Sequence, residues 1–167
     1  MILFYIKRCL WFAALVLMQV LVFSHVHIGG YATAFVYIYF ILTLDRNVNR
    51  LALLAWAFVL GLVVDVFTNT PGVNASATVL LAFVRPQLIT LCVPRDSADD
   101  LEPGIRSMGV VPFVGYASLA TLLHHTMLMI VDAFSFYDWK ILVAKIFLSS
   151  LLTLLCVMAL ECIRWKK

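Results

Sequence analysis

The most constraining feature of this chain is a succession of long apolar runs, each ended by a short polar or turn-rich break. The runs cover about residues 9–23, 31–44, 51–67, 73–93, 108–131 and 139–163. They are continuously apolar rather than alternating, and they exceed the length of ordinary strands. Both properties indicate helices. A helix apolar on every side needs an apolar solvent. The composition leaves no other, since 64% of the chain is hydrophobic, 13% is charged and the mean hydropathy is +1.03. An ordinary soluble domain carries about 25% charged residues, so so little charge cannot cover a water-facing surface. The predicted fold class is an all-α membrane protein, a six-transmembrane-helix bundle spanning residues 1–167 as one domain.

Two runs are irregular. The second is short for a span of about 20 residues, so a re-entrant course is allowed. The fourth contains Pro86, which is expected to free the carbonyl of Ala82 and bend the helix. The first run follows Lys7 and Arg8, and Ala32-Thr33-Ala34 resembles a cleavage site. His25 to Gly30 separate that site from the apolar core, so the run is read as an uncleaved first span. No internal repeat is apparent.

The basic residues orient the bundle. Lys7 and Arg8, Arg46 and Arg50, Arg95 and Arg106, and Arg164, Lys166 and Lys167 fall in segments that share one side of a six-span protein. The opposite loops, "SHVHIGG", "TNTPG" and "DAFSFYD", contain no Lys or Arg, with Lys140 just beyond the last. This asymmetry places both termini in the cytoplasm. Cys9, Cys92, Cys156 and Cys162 then lie toward the reducing side, show no metal-type spacing and read as small packing residues. No basic patch suggests nucleic acid. The loop "CVPRDSADDLEPGIRSMG" carries Asp96, Asp99, Asp100 and Glu102, which form a solvated surface or a docking patch for a cytoplasmic partner.

A few charged or titratable groups remain within or at the edges of the runs: Asp65, Arg85, His124 with His125, Asp132 and Lys145. A charge at the bilayer centre costs about 2.5–3.5 kcal/mol on insertion scales, so such groups face the bundle interior and find partners. At about 1.5 Å per residue, Asp65 and His124 lie roughly 21 and 24 Å from the inner ends of their helices. Lys145 lies about 9 Å below its outer end. Asp65–Lys145 and Asp65–His124 pairs are both allowed, while Arg85 lies deeper. The readings are a structural polar lock between helices, a small-molecule pocket in the outer half, a proton carrier or a metal site. His124 and His125 point about 100° apart on a helix, which disfavours metal. No catalytic arrangement and no cofactor site is evident.

Asp65 belongs to "GLVVDVFTNTPG". It stands near the C-terminal end of its own helix, where the dipole disfavours an anion, so its donors must come from elsewhere. Gly61, one turn earlier, admits a second helix at close range. Pro71-Gly72 is a turn pair, Asn74 is a candidate cap for the next helix, and Ala75, Ser76, Ala77 and Thr78 offer a small-residue face.

Gly61-x-x-x-Asp65, a short turn and then Gly72-x-x-Ala75 resemble the signature of the rod shape-determining MreD family. Length and topology extend the resemblance over the chain, while Arg85-Pro86 and His124-His125 depart from the family pattern. The resemblance implies a non-enzymatic inner-membrane scaffold of the bacterial elongation complex. Its implied partners are a bitopic MreC-like protein, a RodA-like glycosyltransferase, a penicillin-binding transpeptidase and an MreB-like actin homologue. It also implies a fold similar to the S component of ECF vitamin transporters, six helices around an outward cavity. Such an S component is the alternative function. The first run has Ala13-Ala14 but no Ala-x-x-x-Ala spacing of the kind those proteins use for docking.

Overall fold

The computed structural model describes residues 2–25, 32–93, 102–133 and 138–165. Most of these are helical, with no strand among them. The elements are α1 (Ile2–Leu21), α2 (Tyr39–Leu42), α3 (Arg50–Thr68), α4 (Val73–Cys92), α5 (Ile105–Met108), α6 (Val110–Ala133) and α7 (Trp139–Trp165). Single 3-10 turns occupy Phe23–His25 and Val36–Ile38. Among the described residues four helices are long and apolar enough to cross a membrane: α3, α4, α6 and residues 139–164 of α7. Their outward faces carry large apolar side chains such as Leu51, Val66, Leu91, Val111 and Leu155, as a lipid-facing surface requires.

α3 packs on α4, α4 on α6 and α6 on α7, while α1 lies against α3 and the segment that precedes α2. That segment departs most from a simple helical run. Residues 33–35 have no regular structure, and only Val36–Leu42 winds into helical turns. It forms the centre of the bundle: Val36, Tyr37, Ile38, Tyr39, Ile41 and Leu42 are all 0% exposed. Thr33 bonds to Ser149, Phe35 to Thr153 and Tyr39 to Glu161. The segment therefore runs parallel to α7. An extended residue advances about 3.3 Å against 1.5 Å in a helix, which lets a short stretch cover the distance.

An unwound backbone in an apolar interior must find other hydrogen-bond partners. Gln19 of α1 supplies two, as its amide Nε2 donates to Ala34 O at 3.1 Å and Oε1 accepts from Val36 N at 2.8 Å. Ser149 Oγ accepts from Thr33 N at 3.2 Å, and Thr153 Oγ1 from Phe35 N at 3.0 Å. Four side-chain bonds from two helices thus replace the missing ladder.

α3 and α4 form a tight antiparallel pair. A Cβ on Gly61 would lie 2.4 Å from Thr78 Oγ1 and 2.5 Å from Ala75 Cα, closer than real atoms approach. Thr78 Oγ1 also donates across to Ala57 O at 2.9 Å. The hairpin turns over Thr70–Val73, closed by Val73 N to Thr70 O at 3.2 Å. Gly72 sits at φ 81, ψ −6, the left-handed third position of a type II turn after Pro71. α4 continues through the exposed Pro86 to Cys92. Gly109, at φ 87, separates α5 from α6.

Gly61 and Gly115 make opposite predictions. Gly61→Ala should lower thermal stability in detergent by about 1–3 kcal/mol through overpacking. At Gly115 an added Cβ meets only Cys92 Sγ at 3.9 Å. Gly115→Ala should therefore gain about 0.5–1 kcal/mol from helix propensity. Thermal unfolding of the two variants beside the parent protein checks both signs.

Candidate functional site

Asp65 joins α3 to α4 through both its main chain and its side chain. Its carbonyl accepts from the backbone N–H groups of Asn69 and Thr70, which ends α3. Its carboxylate starts α4. Oδ1 accepts from Asn74 N, Asn74 Nδ2 and Thr70 Oγ1, and Oδ2 from Ala75 N, each at 2.9 Å. With Val73 N bonded to Thr70 O and Ser76 N to Gly72 O, every amide of the first turn of α4 is satisfied. The anion also sits at the positive end of the α4 dipole. The donors come from residues 70–75, not from α6 or α7, so the allowed pairs of Asp65 with Lys145 or His124 are not formed. The reason is proximity: the turn delivers four N–H and O–H donors before any remote side chain is needed.

Asn74 does not serve as the helix cap. Gly72 holds that position, and the Asn74 amide lies inside the first turn. Its Nδ2 donates to Asp65 and Thr70, while Oδ1 accepts from Tyr37 Oη at 2.9 Å. Tyr37 Oη is also 3.0 Å from His124 Nε2. Since the tyrosine proton goes to Asn74, His124 must donate through Nε2. Asp65 and His124 thus belong to one chain, Asp65–Asn74–Tyr37–His124, that links α3, α4, the central segment and α6. His124 Nδ1 is buried and has no hydrogen-bond partner among the described residues.

His125 faces a different neighbour. Its Nδ1 is 2.7 Å from Thr121 O, a carbonyl, so Nδ1 carries the proton. Nε2 then accepts from Thr153 Oγ1 at 3.1 Å, and Thr153 accepts from Phe35 N. The two histidines therefore hold the central segment at two points, the Tyr37 side chain and, by way of Thr153, the Phe35 backbone. Among the described residues no three His, Cys, Asp or Glu side chains converge as metal ligands would.

A cavity of about 680 Å³ opens beside this network. Gln19, Thr33, Phe35, Asn74, Asp132 and Lys145 are among its lining residues. Lys145 therefore joins Asn74 at one space without touching Asp65.

Arg85 lies at the other end of the bundle, 1% exposed. Its guanidinium donates to the carbonyl of Leu44, to Leu42 O at 3.5 Å and to Asp45 O at 3.4 Å, and its Nε donates to Tyr116 Oη at 3.2 Å. Tyr116 donates in turn to Leu42 O at 3.2 Å. Arg85 thus satisfies carbonyls at and just beyond the end of α2, where a positive charge is favoured. The Asp45 carboxylate is paired with Arg8. Glu161 is a second buried acid, 2% exposed, that the basic tail of the sequence conceals. It accepts from Tyr39 Oη at 2.5 Å and Ile105 N at 3.0 Å. Arg164 pairs with Glu102 at 2.7 Å, which ties the exposed Glu102 side chain to α7. Asp96, Asp99 and Asp100 lie outside the described residues.

Comparison with protein-family models, curated proteins and solved structures returned no match.

Removing the Asp65 carboxylate orphans four donors. Asp65→Ala should cost on the order of 3 kcal/mol or more, since each buried unsatisfied group costs about 1–3 kcal/mol. Asp65→Asn keeps the Oδ1 acceptor but turns an amide toward Ala75 N–H, so its loss should be smaller. Folded yield and thermal midpoint should rank parent, Asn, Ala. At Arg85, Arg85→Lys should recover only part of what Arg85→Met loses, because an ammonium cannot reproduce the planar fork across three carbonyls. Monodisperse yield by size exclusion reports both series.

Proposed function

We propose that this chain is an integral membrane scaffold of the MreD kind, a non-enzymatic subunit of the bacterial elongation complex. The observation that carries the reading is the convergence of the motif residues. Gly61 lies against Ala75, and Asp65 bonds the amide of Ala75. Gly72 makes the turn between them. Gly61-x-x-x-Asp65 and Gly72-x-x-Ala75 therefore act as one unit that locks two helices into a rigid hairpin. A scaffold must hold its lipid-facing surface in one shape, and a hairpin closed by backbone-bound carboxylate does so without moving parts.

In this reading the chain crosses the inner membrane six times with both termini in the cytoplasm, the unwound segment before α2 serving as the second crossing. The parallel course of that segment beside α7 supports six crossings, and the clustering of Lys and Arg supports the orientation. The partner on the scaffold surface is a bitopic MreC-like protein. Through it the chain supports a RodA-like glycosyltransferase, a penicillin-binding transpeptidase and an MreB-like filament in lateral wall synthesis. A second reading, the S component of an ECF-type transporter, is favoured by the cavity beside Lys145.

The readings separate in cells and in solution. A scaffold co-purifies with its bitopic partner, and its depletion from a rod-shaped host rounds the cells. An S component co-purifies with an energising ATPase module, and its depletion leaves rods. Rod shape kept after complete depletion overturns the scaffold reading.

A further inference from the structure

The cavity at the Asp65 end contains a charge that the fold does not use. Its wall is built by α1, the unwound segment, the end of α3, the start of α4, α6 and α7, through Gln19, Phe35, Phe67, Asn74, Leu128 and Lys145. Every long helix among the described residues contributes, so the space lies between the helices of the bundle. At about 680 Å³ it falls within the roughly 300–1,000 Å³ of small-molecule sites. Unwound backbone beside such a space is the arrangement apolar surroundings tolerate.

Most of the polar wall is already committed. The Gln19 amide is spent on Ala34 and Val36, and Ser24 donates to Gln19 O. Thr70 and Asn74 are turned to Asp65. Lys145 differs. It stands in the second turn of an apolar helix, and among the described residues no carboxylate oxygen lies within ion-pair distance of it. The acids at this end are Asp65, Asp132 and Asp138, and segments 26–31 and 134–137 add no others. Asp65 is surrounded by its four donors, and Asp132 is exposed at the C-terminal end of α6. Three ammonium donors therefore face a space whose wall also carries the apolar side chains of Phe35, Phe67, Val73, Leu128 and Met129 and the carboxylate of Asp132.

We infer that this cavity binds a small organic anion with an apolar body, its anionic group on Lys145 and its body against Phe35, Phe67 and Leu128. The Asp132 carboxylate among the lining groups selects for a single negative charge and against a dianion. The site stands whether the chain serves as a scaffold or a transporter, because it rests on the cavity and not on the motif.

The test uses the full chain in phosphatidylcholine nanodiscs, with 3-phenylpropionate as probe and the neutral 3-phenylpropanamide as its match in shape. The acid should bind saturably at one site, and the amide about tenfold more weakly or worse, the loss expected when a charged hydrogen-bonding partner is removed. Lys145→Met should abolish this preference for the acid, while Lys145→Arg keeps it. If Lys145→Met does not fold, the acid–amide comparison and Lys145→Arg decide. Equal binding of acid and amide, or an acid preference that survives in Lys145→Met, overturns the inference. Displacement of the probe by phosphatidylglycerol in the disc also overturns it, since the occupant would then be a lipid.

Discussion

The structure depends on satisfying the backbone of residues 33–45 in the middle of an apolar bundle. This stretch passes through the core with only two or three helical turns, so many of its amides and carbonyls lack a partner in their own segment. Each such group left alone would cost several kcal/mol in hydrocarbon. Gln19, Ser149 and Thr153 supply partners at one end, and Arg85 and Tyr116 at the other. The polar residues of α1, α4, α6 and α7 are therefore placed by the needs of a neighbour's main chain. Their positions in turn fix how the long helices surround the segment.

The same rule governs the buried charges. Asp65 bonds the amides that begin α4, Glu161 bonds the amide of Ile105, and Arg85 bonds carbonyls at and just beyond the end of α2. Neither Asp65 nor Arg85 has an ion-pair partner among the described residues, and Glu161 has Arg164 only at 3.7 Å. Taking two opposite charges out of water together is expensive, and their attraction often only offsets that cost. A charge set against a helix terminus meets partial charges that are already fixed and dehydrated, so little further reorganisation is required. Asp65 is the fullest case, because its carbonyl ends one helix while its carboxylate begins the next.

These interactions divide the molecule into a rigid frame and an open space. The α3–α4 hairpin and the chain from Asp65 to His124 tie four elements together, which suits a subunit that presents a constant surface in the membrane. Lys145 belongs to the wall of the cavity and to none of these ties. A cation spared from structural use in an apolar helix is where the frame can meet something other than itself.

The amino-acid sequence by itself determined the helical membrane class, the positions of the breaks, the Pro71-Gly72 turn, the close approach at Gly61 and the need of Asp65 for outside donors. These follow from solvent, local conformational preference and side-chain size, all of which act over a few residues. Asn74 and Asp65 were legible as important but not in their roles, since two of the four donors to Asp65 are backbone amides that no side-chain inventory shows. The unwound course before α2, the use of Gln19 and Thr153, the burial of Glu161 against Tyr39 and Ile105 and the cavity at Lys145 were decided only by the tertiary structure. Each is a contact between segments far apart in the chain, and apolar periodicity records that a residue is buried without recording which neighbour it is buried against.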